Sequence, residues 1–253
     1  MRLEVDIGNT RIKWRLKEGD DMFERGFLVT GSSLALMEPA LDRYLGKVKA
    51  IWVASVVDEE LERGFAIWAK RVFSIEPLFV KSCASIGVVR NAYISPESLG
   101  VDRWLGILAA YHLEKRACIV LSLGTAATVD VVDKSGAHLG GFIAPGLSLM
   151  IGSLTAGTRR LSVVPAEMVQ LDDGLGVSTF SAICGGCTSM LIGLVNNAIT
   201  QLRKCIGNDD FGLVFAGGDA IQLIPYFPSA RLMNDLVLDG LVYAMQGLEP
   251  LEE

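Results

Sequence analysis

Asp6-Ile7-Gly8-Asn9-Thr10-Arg11-Ile12-Lys13-Trp14 and, far downstream, Ser122-Leu123-Gly124-Thr125-Ala126 are the stretches that decide how this chain folds. Each reads as a tight turn between two strands. Ahead of the first turn, Leu3, Val5 and Ile7 alternate with Glu4 and Asp6. Behind it, Ile12, Trp14 and Leu16 alternate again, the period-two pattern of half-buried strands. Phe23–Thr30 reads as a third strand, so the opening is an antiparallel meander. Further on, the pattern predicts a helix over Leu34–Tyr44, a strand over Lys49–Val56 and a helix over Asp58–Val72 capped by Asp58. A strand over Pro77–Lys81 and a helix over Pro96–Leu113 follow. The second turn starts the same grammar again: strands Ala117–Leu123, Ala127–Val132 and His138–Ala144, helices near Gly146–Gly157 and Phe180–Arg203, and a strand Leu213–Ala216 between helices. The strand–turn–strand opening at 1–16 and 117–132 reads as a duplication, with one α/β copy in each of two domains, 1–115 and 116–253.

Composition narrows the class of function. Apolar residues make up 51% of the 253 and charged residues 21%, enough apolar surface to offset the entropy of ordering, which excludes intrinsic disorder. Lys and Arg number 23 against 29 Asp and Glu, a net charge of −6 that argues against a nucleic-acid partner. The acids at the N-terminus oppose a signal peptide, and five cysteines, an odd number, read as reduced thiols of a cytoplasmic protein. Two stretches lack charge. Ser135–Thr158 holds Pro145 and many glycines, and Gly174–Leu202 holds Asn196, Asn197 and Gln201. Both are too polar or too broken for a lipid span, so no membrane partner is expected. The helix from Ser178 onward is expected in a core or at a subunit contact.

The two turns also carry the chemistry. Small-residue turns point backbone N–H groups outward, and Gly8 and Gly124 let a phosphate approach closely. Asp6 cannot bind phosphate directly, but it can hold Mg²⁺ against it, and Lys13 brings a positive charge to the same turn. Either turn alone reads as an ordinary hairpin; two, heading two similar halves, read as a paired phosphate site. Gly217-Gly218-Asp219, after the strand Leu213–Ala216, is a third turn suited to close approach of a planar ligand. P-loop, dinucleotide-binding and protein-kinase signatures are absent from the sequence. His112 and His138 are the two histidines, too few for a histidine-rich metal site. Cys184-Gly185-Gly186-Cys187 lacks further zinc ligands or a thioredoxin-like setting and reads as helix packing.

Two phosphate turns and a late Gly-Gly turn resemble the actin/Hsp70/sugar-kinase superfamily. That resemblance implies two similar actin/Hsp70-like (ribonuclease H-like) domains with an ATP-binding cleft between them. Four motifs narrow it. Asp6–Trp14 resembles the D-x-G-N-T/S-x-x-K-W opening of type III pantothenate kinases, and Gly100-Val101-Asp102-Arg103-Trp104 their G-x-D-R-W. Gly140–Gly146 resembles their G-G-x-I-x-P-G, and Gly217-Gly218-Asp219-Ala220 their adenosine-side turn. The motifs keep the family's order over residues 4 to about 242.

The resemblance implies ATP-dependent phosphorylation of the terminal hydroxyl of pantothenate, the first step towards coenzyme A. It implies Asp102 as general base and Asp6 as the magnesium-side carboxylate. Gly8, Asn9, Thr10, Lys13, Gly124 and Thr125 surround the phosphates, and Gly217 and Gly218 lie on the adenosine side. Tyr93, Gly100, Val101 and Arg103 match the pantothenate contacts. Thr179 matches a threonine that a homodimer lends to the pocket of the other protomer. One departure is Ser122: the family carries Asp there and uses it for a monovalent cation, K⁺ or NH₄⁺, for which a neutral hydroxyl is a weaker ligand. A second is Ala156-Gly157-Thr158-Arg159-Arg160, where many members have T-A-x-L-P. The rival readings are a catalytically weak regulatory relative acting through a protein partner, and a phosphate-releasing hydrolase of the same superfamily.

Overall fold

Alternation in the first strands is decisive because it gathers their apolar side chains on one face and their charged ones on the other. In the computed structural model, which describes residues 1–157 and 174–246, β1 (Arg2–Ile7), β2 (Arg11–Glu18) and β3 (Asp21–Val29) form the expected meander. Leu3, Val5, Ile7, Ile12, Trp14 and Leu16 are buried on one face. That face packs on Phe65 and Trp68 of α2 (Glu59–Phe73), whose first turn is capped by Asp58 accepting from the Leu61 N–H at 2.9 Å. Glu4, Asp6, Lys13 and Arg15 take the other face. A short α1 (Glu38–Leu41) precedes β4 (Ala50–Ser55), which lies parallel to β1, and β5 (Leu78–Phe79) lies parallel to β4. The sheet order is β3-β2-β1-β4-β5.

The second sheet repeats this plan. A small hairpin, β6 (Ser85–Ile86) with β7 (Val89–Arg90), and α3 (Val101–Glu114) come first. Then β8 (Cys118–Leu123), β9 (Ala126–Val132) and β10 (His138–Pro145) form a meander. After α4 (Leu147–Gly157) and α5 (Thr179–Ile206), β11 (Gly212–Ala216) and β12 (Arg231–Leu232) join in parallel, giving the order β10-β9-β8-β11-β12. Two sheets of identical strand order, each a meander followed by two parallel strands, are the structural form of the duplication read from the two turns.

By length and composition α5 could cross a membrane. Its face of Cys184, Leu191, Val195, Ala198 and Leu202 instead lies in the core against Leu121, Val129 and Val131, the position of a core helix. The chain divides into two compact units. One holds Met1–Gly87, Tyr93–Ala109 and the chain from Leu236 onward; the other holds Val88–Ala92 and Ala110–Asp235. The partition is therefore not a single cut: α6 (Leu236–Gln246) returns to the first unit, packing on β1 and β4.

Two expected helices are broken. Leu34–Tyr44 is a 3-10 turn, the single-turn α1 and a second 3-10 turn, because Pro39 has no N–H to give to the preceding turn. Pro96–Leu113 stops after a 3-10 turn at Ser98, and the α-helix starts only at Val101. The break at Leu99 is held by burial: Leu99 is 2% exposed, and its carbonyl accepts from Ser82 Oγ at 2.7 Å. The break places Asp102 in the first turn of α3, where the positive end of the helix favours a negative charge.

Candidate functional site

At the β1–β2 hairpin the register sets Asp6 directly opposite Lys13. Gly8 closes the turn by donating its N–H to the Arg11 carbonyl at 3.0 Å, and a Cβ there would stand 3.1 Å from that oxygen. The end of β3 braces the turn from outside. Thr30 Oγ1 donates to the Gly8 carbonyl at 2.6 Å, and the Thr30 N–H donates to the Thr10 carbonyl at 3.0 Å. Asn9 and Thr10 are exposed at the tip, while Asp6 and Lys13 are half-buried behind it. One hairpin end thus presents a carboxylate, an ammonium, an amide and a hydroxyl. Among the described residues no three His, Cys, Asp or Glu side chains converge as a metal cluster. A single carboxylate suits Mg²⁺, which takes one or two carboxylates and completes its shell with phosphate oxygens and water.

The start of α3 gathers a second set. Arg103 is only 7% exposed, and its Nη1 donates to the Tyr93 hydroxyl at 2.8 Å, with the guanidinium 5.6 Å from the ring centroid. Such burial sets Arg103 apart from an ordinary surface cation. Val101 and Trp104 are buried on either side, and the Trp104 N–H donates to the Gly100 carbonyl at 3.0 Å. A Cβ at Gly100 would meet Asp102 Oδ1 at 2.7 Å, so the Asp102 carboxylate folds back against the Gly100 backbone.

In the second unit three turns stack backbone on backbone. The Gly124 N–H donates to the Ala126 carbonyl at 3.0 Å, and Thr125 is exposed at the tip. The Gly146 N–H donates to the Thr125 carbonyl at 2.9 Å, and a Cβ at Gly146 would fall 2.0 Å from the Gly124 carbonyl. Gly217, at φ +96°, leaves 2.1 Å between a built Cβ and the Leu123 carbonyl, and the Asp219 N–H donates to that same carbonyl at 3.2 Å. Gly218 faces open space. Gly124, Thr125, Gly217 and Gly218 are the expected site residues at these turns, whereas Gly146 stands out in the sequence only as part of the Gly140–Gly146 motif. Its role is spatial: it allows the start of α4 to lie against the β8–β9 turn.

The remaining expectations are placed as follows. Ser122 is half-buried in β8, opposite Thr128 of β9, a pair of neutral hydroxyls. Thr179 is exposed as the first residue of α5, behind a capping box of Ser178 and Ser181. It lines a groove of about 670 Å³ with Leu154, Ala182, Ile183, Gly186 and Met190. Arg159 and Arg160 lie outside the described residues. His138 is buried against Asp130, Nε2 to Oδ1 at 3.0 Å, and its Nδ1 accepts from the Ala92 N–H at 3.4 Å. His112 is half-buried near the end of α3. All five cysteines are free thiols, and Cys184 and Cys187 are buried. Burial, then the neighbouring Cys184, pushes the Cys187 thiol up, which suits packing rather than reactivity.

The sequence pattern of the type III pantothenate kinase family matches residues 2–201, a span that ends before β11 and α6. A relative named type III pantothenate kinase from Pseudomonas syringae pv. syringae is 40% identical over 250 residues, covering 96% of this chain and 98% of its own. Among solved structures, a conserved Campylobacter jejuni protein assigned to the Baf family of transcriptional activators superposes with a TM-score of 0.61 at 24% identity, covering 96% and 97%. A Sinorhizobium meliloti protein assigned as a 2-dehydro-3-deoxygalactonokinase superposes with a TM-score of 0.56 at 16% identity, covering 99% and 100%. These two structural likenesses bear on the fold alone, which is that of the actin/Hsp70/sugar-kinase class.

The stacked turns give a direct test. Gly146→Ala is expected to weaken nucleotide binding by about tenfold or more, roughly 1.4 kcal/mol, in calorimetric titration. Gly193→Ala, whose Cβ meets open space on α5, should stay close to the unaltered protein. Equal affinities for the two variants would contradict the cradle.

Proposed function

The chain belongs to the type III pantothenate kinase family, and from that premise we propose that Asp102 is the general base of its reaction. The reaction is ATP-dependent phosphorylation of pantothenate to 4′-phosphopantothenate, in coenzyme A biosynthesis. The observation that carries the assignment is the Asp102 carboxylate folded against Gly100 in the first turn of α3, next to the buried Arg103 and its half-buried partner Tyr93.

The terminal hydroxyl of pantothenate attacks the γ-phosphorus of ATP, and Asp102 takes the proton as the new P–O bond forms and the bond to ADP breaks. Such transfers rest mainly on positioning and charge stabilisation, so the base need only be ionised and in reach. Arg103, held by Tyr93, offers a fixed cation for the substrate carboxylate. Val101 and Gly100 shape the floor beneath it. Lys13, Asn9 and Thr10 with the Gly8 turn bind phosphate oxygens, as do the N–H groups around Gly124 and Thr125. Gly217 and Gly218 leave room for the adenosine. Asp6 would hold Mg²⁺, which supplies charge neutralisation on the phosphates. The monovalent-cation position does not fit in the same way: Ser122 opposite Thr128 offers no carboxylate for K⁺ or NH₄⁺.

We also assign the active form as a cytoplasmic homodimer. Leu149, Leu154, Phe180 and Met190 are exposed apolar side chains on α4 and α5, around the groove that Thr179 lines. Their cover by a second copy would bring Thr179 of one protomer to the pantothenate pocket of the other. The five free thiols support the reducing compartment. The regulatory alternative gains no support, since the likeness to the Baf-assigned protein carries the fold only.

Asp102→Asn is expected to lower kcat by about 10²–10⁴-fold while calorimetric ATP affinity stays near that of the unaltered protein. Turnover close to normal would refute the base. Replacing Na⁺ by K⁺ or NH₄⁺ at constant ionic strength should leave turnover nearly unchanged, and strong activation by either would show that a cation site persists without a carboxylate at 122. Sedimentation should give a dimer; a fully active monomer would remove Thr179 from the pocket.

A further inference from the structure

The charged face of the first sheet carries an ion chain that the phosphoryl-transfer reading does not use. Glu4, fully buried, takes Arg2 Nε and Arg15 Nε, each at 2.5 Å, and Arg15 Nη1 reaches Asp239 of α6 at 2.7 Å. Burial works to lower the pKa of Arg15, but Glu4 and Asp239 outweigh it and hold the guanidinium above its ordinary value. Among the described residues, Arg15 Nη2 is nonetheless buried without a hydrogen-bond partner. Burying charge with one donor unmet is a poor way to gain stability; where such groups are retained, fixing a register is their best-attested use. Here the register concerns two residues of the site. Glu4 lies two residues before Asp6 on β1, and Arg15 two residues after Lys13 on β2, so all four share one face.

The neighbouring residue of α6 makes a second contact with the site. A Cβ at Gly240 would fall 2.2 Å from the Leu105 carbonyl and 2.8 Å from Leu105 Cα, so α6 and α3 touch backbone to backbone. Leu105 is fully buried and lies one helical turn beyond Asp102. Consecutive residues of one helix thus grip the strand pair bearing Asp6 and Lys13 and the helix bearing Asp102 and Arg103.

We propose that Asp239 and Gly240 are positioning residues for phosphoryl transfer, which together set the distance between the Asp6–Lys13 hairpin and the carboxylate of Asp102. This rests on the assignment of Asp102 and Asp6 made above. Displacing α6 moves the base relative to the phosphate-side groups but leaves the Tyr93–Arg103 pair intact, because Tyr93 is bonded to Arg103 on α3 itself. The signature is therefore a fall in kcat with little change in the KM for pantothenate.

The test compares Asp239→Asn, Gly240→Ala and Phe65→Leu in the full-length protein, at a temperature where circular dichroism shows each to be folded. Phe65 packs on the opposite, apolar face of the same sheet, so its variant reports loss of stability without loss of positioning. Gly240→Ala and Asp239→Asn are expected to lose about tenfold or more in kcat, with KM for pantothenate within about twofold, since misplacements of an ångström cost this much. Phe65→Leu should keep its kcat. Should Gly240→Ala fail to fold, Asp239→Asn, which alters no volume, decides alone. A kcat in the α6 variants no lower than in Phe65→Leu, or a loss carried by KM, overturns the proposal. Asp102→Asn in the same assay separates the two claims: if it turns over normally, the base assignment falls and the positioning role with it.

Discussion

The pairing of β1 with β2 is the constraint on which everything else depends. It sets Leu3, Val5, Ile7, Ile12, Trp14 and Leu16 into one apolar face and Glu4, Asp6, Lys13 and Arg15 into the other. A slip of one residue would exchange the faces. Each large apolar side chain gains about 1.5–3 kcal/mol from burial, so six of them outweigh anything the charged face could offer in return. Hydrophobic burial therefore chooses the register. The chemistry follows from it, because the same register brings a carboxylate and an ammonium together at the end of a turn.

The second unit reaches a similar end through backbone contacts. Around Gly124, Gly146 and Gly217 three turns approach so closely that a methyl group would overlap a carbonyl oxygen at two of them. Close packing of peptide groups, tied by hydrogen bonds from the Gly124, Gly146 and Asp219 N–H groups, makes the three turns one rigid surface. The corresponding strand position is acidic in one unit, Asp6, and neutral in the other, Ser122. The duplicated frame thus differs in charge at this position.

Most of the frame was legible in the sequence because strand alternation and turn residues act locally. The two meanders, the Asp58 cap and the long helix after Ser178 appear within three residues of their expected positions. What the sequence concealed depends on contacts distant along the chain. Pro96–Leu113 reads as one helix, yet Leu99, just before Gly100, is drawn into the core and breaks it, which puts Asp102 in a first turn rather than mid-helix. Arg103 and Tyr93 are both named from the motif, but the hydrogen bond that joins them is not. Helix α6 went unassigned: Leu236, Leu238, Leu241 and Ala244 are spaced to bury, but no motif marked the stretch, and Asp239 gains meaning only from Arg15 on β2. Gly146 likewise looked like one glycine among several until the β8–β9 turn was found against it.

Phosphoryl transfer to pantothenate is the claim that joins these features, and it is read most directly from its product. The unaltered protein, incubated with Mg²⁺, ATP and pantothenate, should form phosphopantothenate, detected by mass spectrometry, in equal amount to ADP, and release almost no ADP when pantothenate is left out. Phosphate released from ATP at the same rate without pantothenate, or a folded protein that forms no phosphopantothenate, would contradict the account.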